Sequence, residues 1–90
     1  MTNQQIQRLV RIQKEAKSNS LFLLHYNIKE ALFAYAYGCG RVRDGASLPR
    51  RRLRWALVHC QTAIDKKQNG LEMAVAAKVQ IKEILTNSRI

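Results

Sequence analysis

Proline occurs once in this chain of 90 residues, at Pro49, and acids number 6 against 16 lysines and arginines. With a single proline, nearly the whole chain is free of the residue that most firmly breaks a helix. No strand-period alternation of apolar and polar residues persists beyond a few positions, so β architecture is excluded. Cys39 and Cys60 are too few for a disulfide framework and indicate free thiols in a reducing compartment, with a single Cys39–Cys60 bridge as the alternative. Histidine is equally scarce. His25 and His59 join the cysteines in no CxxC or HxxxH spacing, and His59 and Cys60 are neighbours that point about 100° apart on a helix.

The acids are also scattered. Glu15, Glu30, Asp44, Asp65, Glu72 and Glu83 form no pair suited to acid–base catalysis or to a two-metal centre. No P-loop, dinucleotide fingerprint or serine elbow is present. The sequence reads as a non-enzyme that needs no cofactor and no metal. An uninterrupted apolar run is missing too: the longest, from Leu21 to Tyr37, is broken near its middle by His25, Asn27, Lys29 and Glu30. Charge at that depth is costly in lipid, so the segment reads as a buried helix and no membrane span is expected. The N-terminus is polar through Gln5 and shows no secretory apolar region, so a cytoplasmic, reducing location is expected.

What is present is an apolar content of 47%, enough for a folded chain. Residues 1–90 read as one small domain, with a core marginal enough to favour a homo-oligomer or docking into a larger assembly. The predicted fold is all-α, a small bundle of three to four antiparallel helices. Thr2 and Gln5 form a capping box at the start of helix one, and Ile6, Leu9, Val10 and Ala16 follow at helical spacing. Ser20 reads as the N-cap of helix two, which runs to about Tyr37 and ends at Gly38. Helices one and two are either separate or one longer bent unit. Helix two is apolar on most sides, with Leu21, Leu24, Ile28, Leu32 and Tyr35 on one and Phe22, Tyr26, Phe33 and Tyr37 on others. Such a helix is central, or touches both its own bundle and a second chain. Tyr35 and Tyr37 read as core or interface residues.

Gly38 to Leu48 is a loop with turn chemistry, and Ser47 and Pro49 open helix three. Leu53, Ala56, Leu57, Cys60 and Ile64 make its inward face, and Asn69-Gly70 ends it. Helix four spans Leu71 to about Asn87, with a narrow polar side near Lys78 and Lys82. Its short connection makes it an antiparallel partner of helix three.

The functional signal is arginine. Six of the nine arginines, Arg41, Arg43, Arg50, Arg51, Arg52 and Arg54, fall within 14 residues whose only acid is Asp44. That window carries +5, half of the net +10 of the chain. Positive charge at a helix N-terminus opposes the helix dipole, so Arg50, Arg51 and Arg52 weaken helix three unless an anion compensates them. Guanidinium forks fit phosphate oxygens, and Trp55 beside them offers a ring on which a base can stack, although a helical tryptophan more often packs inward. The alternative is a merely solvated basic face.

The predicted function is therefore largely sequence-independent binding of nucleic acid, as single-stranded RNA or DNA or through the duplex backbone. Six phosphate contacts would give a salt slope of about −4 on single strands. The architecture suits a small subunit of a larger nucleoprotein complex, such as an RNA-guided effector, by analogy of form alone. The competing reading is an adaptor, inhibitor or regulator whose basic face docks on an acidic protein. A basic surface on anionic lipid is the third and weakest.

Overall fold

A computed structural model describes residues 1–37, 48–67 and 69–87. They form four helices in chain order: α1 (Asn3–Ser18), α2 (Phe22–Ala36), α3 (Leu48–Asp65) and α4 (Leu71–Asn87). No strand occurs among the described residues. The fold is a small all-α four-helix bundle. Arg41, Arg43, Cys39 and the predicted caps Gly38 and Ser47 lie outside the described residues.

The starts of α1 and α3 have local causes. In the capping box of α1, the Thr2 hydroxyl accepts from the Gln5 backbone N–H at 3.1 Å, and the Gln5 side chain accepts from the Thr2 N–H at 2.9 Å. Pro49 lies in the first turn of α3, where its missing N–H leaves no bond unmade. Ser20 departs from the sequence expectation. It does not cap α2, whose N-cap is Leu21 with no side-chain hydrogen bond. Ser20 instead ends α1 in the left-handed region, at φ 61°. Its N–H donates to the Lys17 carbonyl at 3.1 Å, and the Leu21 N–H donates to that of Ala16 at 2.8 Å. These two bonds define a Schellman motif, which satisfies the last carbonyls of α1 and drives Leu21 into the core.

That turn reverses the chain, so α1 and α2 form a hairpin and not one bent helix. His25 Nδ1 lies 3.0 Å from the Gln13 carbonyl oxygen, and the Met1 ammonium donates to the Tyr35 hydroxyl at 2.8 Å, which ties both ends of the pair. Neighbouring helices follow the ring α1–α2–α3–α4, closed by an α1–α4 seam that Arg8 and Glu83 bridge at 3.8 Å. The α2–α3 seam is the most extensive. The α3–α4 connection also differs from expectation: α3 ends at Asp65, Lys67 takes the left-handed conformation at φ 49°, and Gly70 belongs to the start of α4. Its carbonyl accepts from the Ala74 N–H at 2.8 Å.

The core contains Leu9 and Ile12 of α1, Leu24 and Ile28 of α2, Leu53 and Cys60 of α3, and Ile81 and Ile84 of α4. Buried Ala16, Ala31, Ala56, Ala63, Ala74 and Ala77 sit between these larger side chains. Small residues let the helix axes approach closely, and interdigitation with the larger side chains fills the space. The polar side of α4 is only partly where the sequence suggested, since Lys82 is exposed. Lys78 turns toward α3 and donates to the Gln61 side chain, while Leu71, Val75 and Val79 are exposed.

Candidate nucleic-acid interface

The phase of α3 decides what its arginines can reach. Leu53, Ala56, Cys60 and Ala63 are buried, so the opposite side of the helix faces solvent. Arg51, Arg54, Trp55 and Val58 lie on that outer side and are exposed. Arg50 and Arg52 fall on the two flanks and are half-buried. At about 100° per residue, Arg50, Arg51 and Arg52 therefore fan around the helix instead of forming one stripe.

Arg52 turns toward α2. Its guanidinium carbon lies 5.8 Å from the centroid of the Tyr26 ring, within cation–π range. Trp55 is 48% exposed, which places it outside the bundle core. Its indole stacks on His59, one turn further along, with ring centroids 6.3 Å apart and planes 27° from parallel. Beside the indole is a notch of about 270 Å³ lined by Leu48, Arg51, Arg52 and Trp55. The structure thus brings together Arg51, Arg52 and Trp55 of the residues singled out by sequence, with exposed Arg54 close by in the chain.

No described carboxylate lies within ion-pairing distance of Arg51, Arg52 or Arg54, and the first turn of α3 holds no acid. Four arginines at the positive end of a helix dipole thus add to its field and leave a strongly electropositive surface.

Sequence reasoning did not assign to the site the aromatic row beside it. Phe22, Tyr26 and Phe33 of α2 and its C-cap residue Tyr37 are all exposed, Tyr37 at 72%. Their spacing of four, seven and four residues puts them within about 60° of one another on a helix. The spacing was visible, but an apolar stripe normally faces a core. Tyr37 packs on Phe33, with centroids 4.5 Å apart, and Tyr35 meets the chain terminus through its hydroxyl, so neither is a core residue.

Other chemistry finds little to build on. Cys60 is fully buried, and burial pushes its thiol up to about 12, with nearby Lys78 pulling in the opposite direction. A thiol held protonated in this way is a core residue and a poor nucleophile. Among the described residues no three His, Cys, Asp or Glu side chains converge to hold a metal ion, and no helix is long and apolar enough to cross a membrane. Neither a protein-family model, nor a curated protein, nor a solved structure matches this chain.

Proposed function

We propose that this protein is a non-catalytic nucleic-acid-binding module that grips the phosphate backbone through the N-terminal half of α3. Arg51, Arg52 and Arg54 carry the contact, joined in sequence by Arg41, Arg43 and Arg50. The observation that carries the reading is the exposure of Arg51 and Arg54 next to Trp55, with no described carboxylate to neutralise them. Phosphate supplies the missing countercharge in the geometry guanidinium groups prefer. The surface carries few side chains that read base edges, so recognition follows the backbone and not the sequence. A cytoplasmic site of action fits a chain whose buried Cys60 is a free thiol.

Fluorescence anisotropy with labelled single-stranded RNA, single-stranded DNA and duplex DNA across a salt series tests this. Arg51, Arg52 and Arg54 together contribute about −2 to the salt slope on a single strand, and Arg51→Ala/Arg52→Ala/Arg54→Ala removes that contribution. A folded wild-type protein that binds none of these probes at low salt would overturn the reading.

Exposed Leu71, Val75 and Val79 on α4 favour a further element of this reading, which is that the module works as a small subunit within a nucleoprotein assembly. The same apolar residues also support the adaptor reading, in which the basic face meets an acidic protein. That reading predicts a complex of fixed stoichiometry and little affinity for random oligonucleotides.

A further inference from the structure

We propose that Trp55, Arg52 and Tyr26 form a stacking path for single-stranded nucleic acid that crosses from α3 onto α2. The proposal rests on the phosphate-gripping reading and adds to it the strandedness of the substrate and the seat of its bases.

The path begins at the notch beside Trp55. The indole is half exposed, and His59 braces it, which restricts the orientation of the ring. At about 270 Å³ the notch lies just below the ~300 Å³ at which pockets for drug-sized ligands begin, a size suited to a single planar base. Two guanidinium groups, from Arg51 and Arg52, share its lining with one apolar side chain, Leu48. A base stacked on the indole therefore has cationic donors at hand for the phosphates on either side of it.

Arg52 carries the path onward, because it lines the notch and also lies over the ring of Tyr26. Tyr26 is 47% exposed and belongs to the outward row that includes Phe22 and Phe33. Along this line the surface alternates ring, cation, ring. A single strand alternates planar neutral bases with anionic phosphates, so the two patterns complement each other. A duplex keeps its base faces inside the stack and presents phosphates alone. An acidic peptide would satisfy the arginines but offers no regular series of planar groups for the rings.

Trp55 is the only tryptophan in the chain, so its emission reports on this site alone. The test compares three probes of roughly a dozen nucleotides, a length within single-strand site sizes: a thymidine strand, the same strand without bases, and a duplex. Anisotropy gives affinity, and tryptophan emission gives stacking. The base-bearing strand is expected to quench Trp55 and to bind about tenfold more tightly than the abasic strand, and neither the abasic strand nor the duplex is expected to quench. Trp55→Ala and Tyr26→Ala, both at exposed positions, are each expected to weaken the base-bearing strand several-fold and to leave the salt slope unchanged. Equal affinity for the base-bearing and abasic strands with unquenched emission would overturn the stacking path while leaving backbone gripping in place. Binding to no probe would overturn both.

Discussion

The side chain of Asn19 occupies the space that a β-carbon on Gly70 would need: such an atom would lie 2.9 Å from both Cβ and Cγ of Asn19. Asn19 closes α1 and Gly70 opens α4, so this contact locks the α1–α2 turn against the α3–α4 turn at one end of the bundle. Asn19 cannot swing away freely, because its Nδ2 donates to the Glu15 carbonyl at 2.8 Å. Gly70 also holds φ at +84°, a conformation that L side chains adopt only with strain. Gly70→Ala should therefore destabilise the fold by about 2–3 kcal/mol, combining backbone strain with overpacking. Urea denaturation measures this directly, and an unchanged midpoint would mean that the two turns part easily.

Ser20 leads to the opposite expectation. It holds the C′ position of the Schellman motif at φ 61°, a place that glycine fills without steric cost. Its side chain makes none of the hydrogen bonds that define this turn, which run through backbone groups of Ser20 and Leu21. Ser20→Gly should stabilise the protein by about 1 kcal/mol and raise Tm by roughly 4–8 °C. A lower Tm would show that the serine hydroxyl contributes something beyond its backbone.

Ser20 also shows how far the sequence could be read. The four helices were legible because helical periodicity and the Thr2–Gln5 box are local signals, complete within a few residues. Whether Ser20 starts α2 or ends α1 is not local. It depends on there being a core, built by helices far away in sequence, to receive Leu21 where the Schellman turn delivers it. Gly70 was misplaced for the same reason, since Lys67 had already turned the chain. At the candidate site, the richness in arginine was plain from composition. That Arg52 reaches Tyr26 while Arg51 and Arg54 face outward needed both the phase of α3 and the position of α2 beside it. Helical spacing alone separates Phe22, Tyr26 and Phe33 of α2 from Leu24 and Ile28, but that the aromatic side is exposed beside Arg52 needed the packing of α2 on α3.

Cys60 gives the fold an alkaline limit. Burial raises its thiol from an ordinary 9.0 to about 12, with Lys78 offsetting part of the effect. Below pH 9 both the folded and the unfolded thiol are protonated, and Cys60 contributes no pH dependence. Between 9 and 12 the unfolded chain loses this proton and the folded chain keeps it, so stability falls as pH rises. The slope from this one group approaches 1.4 kcal/mol per pH unit. Urea titrations at about pH 8 and about pH 10.5 on wild type and Cys60→Ala isolate it from other titrating groups. The variant should lose less stability between the two conditions, and equal losses would mean that the thiol ionises without unfolding.

Arg51 and Arg54 also allow fork chemistry to be separated from bare charge. Both are exposed on the outer side of α3, so replacing them changes the fold little. Lysine preserves each positive charge but presents a compact ammonium in place of a planar pair of donors. If the arginines hold phosphate through paired hydrogen bonds, Arg51→Lys/Arg54→Lys should keep the salt slope of wild type, because the same counterions are released. Affinity should still fall by about tenfold, since bidentate geometry is lost at two positions. Arg51→Ala/Arg54→Ala should lose both affinity and about −1.4 of slope on a single strand. Wild-type affinity in the lysine variant would mean that the face attracts nucleic acid as a diffuse positive field, and the excess of arginine over lysine at the start of α3 would then need another cause.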